Sequence, residues 1–379
     1  MSKSMIRIKR AGLCLLHVFP VKRNKIFFSA YEGKQFACNP KALFLYMKKQ
    51  GLLEKMQVIW EYNGKSTALA KRHVTSCRHN SLSYFYHIMT SRYVITNSGV
   101  TASIPLRKEQ ICVNTWHAGG AFKKFGADIS GEVNGTDVYA LGVAAKQTDY
   151  FISSNTLFSE NVARTLMLGR EKILDIGLPR NDVFFDPAKL QRIRSKVREK
   201  YGVKEEDFLV LYAPTFRGNS GEDRLQTRDS VDKDLEEAIR EKTGKKPVFF
   251  LRRHYYHREE EKYSSYINVS AYPDMQDLLA AADMLITDYS SAMWDFALTG
   301  KPCLLYVPDL DDYIAQRGFY TEPEDWPGIL CKSVPELSRA VRYFDRDRYK
   351  KKLDTYFTLT GSCESGEGCK KICNVLFQQ

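Results

Sequence analysis

The stretch Met284-Leu-Ile-Thr-Asp-Tyr-Ser-Ser-Ala-Met-Trp-Asp-Phe-Ala-Leu-Thr-Gly-Lys-Pro302 decides how the rest of the chain is read. Residues 284–287 are a short apolar run of strand length, ending at Thr287. Ser290 or Ser291 can cap the helix that follows over 291–298, and Gly300 closes it. Another apolar run, 302–307, comes next. Strand, turn, helix, strand is a βα unit, and chains of such units build parallel sheets covered by helices. Free N–H groups and serine hydroxyls at that helix start would make an anion site; a plainly capped helix accounts for the same residues.

Worked outward, the pattern recurs almost end to end. Strands are expected at 25–29, 57–60, 93–96, 111–115, 150–153 and 173–176, and after a break at 208–212, 247–251, 266–269, 284–287 and 302–307. Helical patterns lie between them at 40–50, 156–167, 187–201, 232–242, 275–282 and 291–298. Two sets of about six and five strands imply two doubly wound domains, divided within 179–201. The expected domains are 1–185 and 186–379, with the last helix packing back on the first. Two Rossmann-like α/β domains facing each other across a cleft form the GT-B arrangement of nucleotide-dependent transferases, where ligands sit at the carboxyl ends of strands. The polar segment 217–228 (RGNSGEDRLQTR) reads as a surface loop.

Composition narrows the function. The 379 residues are 44% hydrophobic and 27% charged, which is globular rather than disordered or fibrous. No apolar run approaches the ~18 residues that span a bilayer. The short apolar run 11–18 contains His17 and lacks a cleavage site, so a cytoplasmic chain is expected. A net charge of +12 attracts phosphates: nucleic acid, an anionic membrane face or a phosphorylated substrate. No aromatic-and-Arg platform or DNA-binding helix motif supports nucleic acid as a partner. Nine cysteines, with no C-x-x-C, point to reduced thiols rather than a disulfide framework or a zinc ribbon. No carboxylate cluster calls for a metal; no cofactor is expected, and Mg2+ is compatible but not indicated.

Two further strand ends carry chemistry. Ile111-Cys-Val-Asn-Thr-Trp-His117-Ala-Gly-Gly120 delivers a histidine to a small-residue turn. His117 there could take a proton from an attacking hydroxyl, and Gly119 and Gly120 would let a substrate approach the backbone; a structural histidine beside a tight turn is the plainer account. Phe249-Phe-Leu-Arg-Arg-His254-Tyr-Tyr-His257 places Arg252, Arg253 and His254 after an apolar strand, where cations could neutralise charge on a departing phosphate. Gly64-Lys65-Ser66 is not a P-loop, because position 59 is Ile. No G-x-G-x-x-G or G-x-S-x-G follows a strand, which removes support for nicotinamide, flavin and Ser-His-Asp chemistry.

Trp116-His117, Tyr212-Ala-Pro-Thr-Phe-Arg217, Leu251-Arg-Arg-His254, Thr287-Asp-Tyr-Ser-Ser291 and Arg317-Gly-Phe-Tyr320, together with the opening segment 24–43, resemble in order the CDP-glycerol glycerophosphotransferase family of teichoic-acid primases and polymerases. The resemblance runs from about residue 20 to the C-terminus. It implies that a hydroxyl of a polyprenyl-diphosphate-linked acceptor attacks the β-phosphate of CDP-glycerol or a similar CDP-alditol and displaces CMP. It also implies an acceptor domain followed by a CDP-binding domain, with His117 as base and His254 and Arg253 on the diphosphate. Asp288, Ser290 and Ser291 would bind the CDP portion. Arg217 would also contact the donor, and Arg317 would lie in a loop closing on it. Two departures stand out. Ala118-Gly119-Gly120-Ala121 replaces the family's usual turn after the catalytic histidine, and Lys371 stands where a phosphate-binding Arg is usual, without its bidentate fork. The length suits a short, primase-like member. The apolar and basic residues of 5–19 fit either the anionic inner face of the cell membrane or a buried first element. A ribitol-phosphate transferase, or a GT-B glycosyltransferase with another nucleotide-activated donor, is the alternative. A catalytically silent scaffold would leave His117, His254 and residues 288–291 unexplained.

Overall fold

The computed structural model describes residues 2–64, 69, 74–120, 123–128, 135–215, 233–253 and 266–377. Thirteen strands form among them. The first seven are β1 (Lys22–Ser29), β2 (Gln57–Glu61), β3 (Thr75–Cys77), β4 (Ser91–Thr96), β5 (Ile111–Asn114), β6 (Tyr150–Ser153) and β7 (Ile173–Asp175). The other six are β8 (Phe208–Ala213), β9 (Pro247–Leu251), β10 (Tyr266–Asn268), β11 (Met284–Thr287), β12 (Cys303–Tyr306) and β13 (Ile329–Cys331). The chain divides into two compact units, residues 1–182 with 360–379, and residues 183–359.

In the first unit the strands pair in parallel in the order β3-β2-β1-β4-β5-β6-β7. Successive side chains of a strand point to opposite faces, so Phe27 and Phe28 of β1 enter different cores. Phe28 stacks on Trp60 at 5.2 Å and packs with Phe44, Ile372 and Leu376 beneath helices Cys38–Lys49 and Gly368–Phe377. Phe27 packs with Ile59, Tyr84 and Ile88 under helix Leu82–Thr90. The C-terminal segment is tied to this unit by polar bonds as well. The Asp182 carboxylate accepts from the N–H of Gly368 (2.8 Å) and Cys369 (2.9 Å), and Glu364 accepts from Asn181 Nδ2 at 2.8 Å.

In the second unit the order is β10-β9-β8-β11-β12-β13, again parallel. Its core gathers Val210, Leu235, Ile239, Phe249, Ile286, Leu304 and Leu337. Under its edge, Asp283 holds two guanidinium groups, Arg198 at 2.6 Å and Arg194 at 2.9 Å, and also accepts from the Leu209 N–H at 2.9 Å.

The sheets hold seven and six strands, not six and five. The additional ones, β3 and β13, are three-residue edge strands, too short to show an alternation in sequence. β1 also starts three residues earlier than expected, at Lys22. Lys22, Arg23 and Lys25 hide its start, yet Lys25 is buried with its ammonium on Thr90 Oγ1 at 2.5 Å, and burial lowers its pKa to about 8. Helix Leu82–Thr90 runs straight into β4, so no turn residue announces either element.

Candidate functional site

Both strand orders reverse direction beside the first strand of their unit, between β1 and β4 and between β8 and β11. Loops leaving adjacent strands at such a point go to opposite faces and open a crevice at the carboxyl ends. The residues expected to carry chemistry follow β5, β9 and β11, at the carboxyl ends of the same sheets.

In the first unit β5 ends at Asn114, whose side-chain oxygen accepts from the Trp116 N–H at 3.0 Å. Trp116 is left-handed, with φ +52°, a conformation that costs a non-glycine residue free energy and needs outside support. The support is a set of donors on four carbonyls of the turn, those of residues 115, 116, 117 and 119. Buried Asn39 donates to those of Thr115 and Trp116, both at 2.9 Å, and Arg180 donates to that of His117 at 2.7 Å. Asn155 donates to that of Gly119 at 2.9 Å, alongside Ser154 Oγ. Arg180 and Asn39 are joined to each other, since the Arg180 N–H donates to Asn39 Oδ1 at 3.0 Å. The Trp116 ring lies on Phe151 at 5.6 Å and beside the His117 ring at 4.6 Å.

His117 is thereby held with Nδ1 2.8 Å from the Asn97 carbonyl. A carbonyl only accepts, so Nδ1 carries the proton and Nε2 is left with its lone pair. Burial, opposed by that hydrogen bond and reinforced by the Arg180 charge, lowers the pKa of His117 below the ordinary histidine value. The imidazole is neutral at neutral pH. The Tyr31 ring meets it edge-on at 5.9 Å, and Tyr31, Glu32 and Gly33 are three consecutive left-handed residues following β1.

The second unit gathers the other set. Buried Asp288, at the end of β11, accepts from the Thr215 N–H at 2.9 Å, and Thr287 Oγ1 donates to the Ala213 carbonyl at 2.6 Å. Asp288 therefore orders the loop leaving β8. The amide groups expected to be free at the next helix, Ala292–Ala297, are engaged. The Ala292 N–H donates to Ser290 Oγ (3.2 Å), that of Met293 to the Ser290 carbonyl (3.3 Å) and that of Trp294 to the Ser291 carbonyl (3.2 Å). Ser290, not Ser291, makes the side-chain cap bond. At the end of β9, Arg252 is spent on the Tyr272 carbonyl at 2.7 Å, while the Arg253 N–H donates to Ser270 Oγ at 2.9 Å.

Not every expected residue joins these groups. Lys371 belongs to the first unit, on helix Gly368–Phe377, with its ammonium 3.0 Å from Ser365 Oγ. Gly119 and Gly120 are buried, and the Gly119 carbonyl is turned to Ser154 and Asn155. Arg317 ends helix Leu310–Arg317, but its side chain lies outside the described atoms. Arg217, the remainder of segment 217–228, His254 and His257 lie outside the described residues.

Sequence reasoning did not single out Asn39, Asn97, Asn155 or Arg180. The signal for Arg180 was present in Gly177-Leu-Pro-Arg-Asn181, which reads as a domain border when only composition is weighed. Asn155 also caps helix Thr156–Thr165, accepting from the Phe158 N–H at 2.8 Å. Asn155→Ala should cost about 1–2 kcal/mol, measurable as a lower urea midpoint of unfolding; no shift would mean that neither bond matters.

Two parallel, doubly wound units of this order define an α/β protein of the GT-B class. The chain belongs to the CDP-Glycerol:Poly(glycerophosphate) glycerophosphotransferase family, whose model matches residues 13–378. It is 29% identical over 385 residues to a teichoic acid poly(glycerol phosphate) polymerase of Bacillus spizizenii, covering 98% of this chain and 96% of that one. It is 28% identical over 376 residues to a teichoic acid glycerol-phosphate transferase of Staphylococcus aureus, covering 96% and 95%. Among solved structures, the wall teichoic acid polymerase TagF overlays with a TM-score of 0.81 at 24% identity, over 99% of this chain and 94% of that one.

Proposed function

We propose that this protein transfers glycerol phosphate from CDP-glycerol to a hydroxyl of a membrane-linked acceptor, releasing CMP. The observation that carries this reading is His117 in a family of glycerophosphotransferases: a neutral imidazole, tautomer fixed by the Asn97 carbonyl, with Nε2 available to take a proton. The acceptor oxygen attacks the β-phosphorus, the bond to the bridging oxygen of CMP breaks, and the acceptor's proton passes to Nε2. Inversion at phosphorus in a single displacement needs no covalent enzyme intermediate. Among the described residues no cluster of three His, Cys, Asp or Glu is placed to hold a metal ion.

On the donor side, Arg253 supplies positive charge at the end of β9, and Ser290 and Ser291 supply hydroxyls after β11. Asp288 acts there by shaping the loop after β8, because a carboxylate beside a diphosphate would repel it. The test is CMP release from CDP-glycerol with a lipid-linked disaccharide acceptor. Release from CDP-ribitol or a nucleotide sugar instead would keep the fold and replace the donor; silence with every donor would sink the reading.

Contact with the membrane goes with this proposal. No helix among the described residues is long and apolar enough to cross a bilayer. Helix Lys3–Leu13 buries only Ile6 and leaves Met5, Ile8, Lys3, Arg7 and Lys9 exposed, followed by exposed Leu15, Val18 and Phe19. Apolar and cationic side chains on one exposed segment suit an interface with anionic lipid. Flotation with phosphatidylglycerol vesicles should carry the protein up the gradient, and Ile8→Glu with Leu15→Glu should reduce the floating fraction at least several-fold. Wild type remaining at the bottom would end this part.

A further inference from the structure

Thr287-Asp-Tyr-Ser-Ser291 and Arg317-Gly-Phe-Tyr320 stand apart in the sequence, and the second unit joins them through aromatic rings. The Tyr289 ring, 1% exposed, stacks on Tyr313 with centroids 3.8 Å apart and planes 20° from parallel. Phe319 lies parallel to Tyr313 within 8°, at 5.6 Å, and is 6.0 Å from Tyr289. Buried Trp326 closes the group edge-on, 4.8 Å from Phe319 and 6.4 Å from Tyr289. Tyr313 belongs to helix Leu310–Arg317, and Gly318 turns the chain so that Phe319 comes back onto it. Gly318 has φ +70° and ψ 160°, a region essentially confined to glycine.

Packing alone does not call for these side chains. Leucine would fill a similar volume without burying a hydroxyl, which costs free energy unless it is hydrogen-bonded. The Tyr289 hydroxyl is bonded: it donates to Asp309 Oδ1 at 3.0 Å, immediately before helix Leu310–Arg317. Stacking and that bond together fix the direction of the ring, as an aliphatic filler could not. The consequence falls on the turn after β11, a strand that lies between β8 and β12 in its sheet. Asp288 ties this turn to the loop leaving β8, through the Thr215 N–H at 2.9 Å. Tyr289, the next residue, ties it to the segment leaving β12, through Asp309 and Tyr313. Ser290 and Ser291 follow directly, so the two serines sit on a turn clamped from both neighbouring strands.

We infer that Tyr289 is a positioning residue for the donor: stacked on Tyr313 and Phe319 and bonded to Asp309, it holds Ser290 and Ser291 where they meet the diphosphate of the nucleotide. The role given to the serines rests on the transferase reading; the clamp around them does not. Hydroxyls held in place bind an anion without the ordering cost of a mobile turn. Loosening the stack therefore weakens donor binding and leaves the acceptor side alone.

The test compares variants on the two sides of the stack. Tyr289→Leu removes ring and hydroxyl from the turn, while Tyr313→Leu removes the partner ring, at a half-buried helix position, and leaves the turn itself unaltered. Each should raise the KM for CDP-glycerol about threefold to tenfold, the worth of one aromatic pair, with the acceptor KM unchanged. The Kd for CMP, read by calorimetry without turnover, should rise by the same factor. Tyr289→Phe keeps the stack and loses only the Asp309 bond, so it should recover most of the loss. The double leucine variant should be no worse than Tyr289→Leu alone, because both changes remove the same interaction. A packing role alone would lower the thermal midpoint and the active fraction but leave KM and Kd in place, and that result overturns the inference. So does a loss confined to Tyr289→Leu with Tyr313→Leu at wild-type values, since Tyr289 would then be a direct contact. If Tyr289→Leu does not fold, Tyr313→Leu decides. Wild type that neither binds CMP nor turns over CDP-glycerol overturns the transferase reading, and the donor role of the serines with it.

Discussion

His117→Ala should lower kcat for acceptor-dependent CMP release by about 10²–10⁴-fold, the usual worth of a positioned general base, with little change in the KM for CDP-glycerol. The expectation follows from the geometry at Nδ1. The Asn97 carbonyl keeps the proton on that nitrogen, so the imidazole offers Nε2 as a base in one tautomer. The same surroundings set the sign of the pH dependence. Burial lowers the pKa, so the neutral, competent form persists to more acidic pH than an ordinary histidine, near 6.5, would allow. The acid limb of kcat/KM should therefore fall below that value and disappear in the alanine variant. A limb at or above 6.5 would mean that the base is cationic in the free enzyme, or that another group titrates. An alanine variant within threefold of wild type would remove His117 from the chemistry.

Asp283→Ala should destabilise the protein by about 3–5 kcal/mol, the cost of leaving a buried guanidinium without its counter-charge. Arg198 is 1% exposed and 2.6 Å from Asp283, and its Nη1 donates to the Lys204 and Asp207 carbonyls. Arg194 shares the same carboxylate, as does the Leu209 N–H at the start of β8. The loss should be seen as a lower midpoint in urea, with the transition of residues 183–359 separating from the rest. Asp283→Asn should cost less, because the amide oxygen can still accept from one donor. A loss under about 1 kcal/mol would class the group with exposed ion pairs.

The sequence by itself determined the class of fold. Buried strands such as Met284–Thr287 and Phe208–Ala213 are apolar on both faces, and helices alternate with them. No other arrangement buries such strands on both sides, so the parallel α/β reading follows from local pattern alone. His117 was legible for a similar reason: a lone imidazole after an apolar strand lands at a carboxyl edge whatever the strand order. What only the tertiary structure decided is which distant residues meet there. Asn39 and Arg180 reach the His117 loop from 76 and 63 positions away in the chain, and no periodicity records such a pairing. Strand order is likewise set by packing among all the strands, so the sites of reversal beside β1 and β8 appear only once the sheets are assembled.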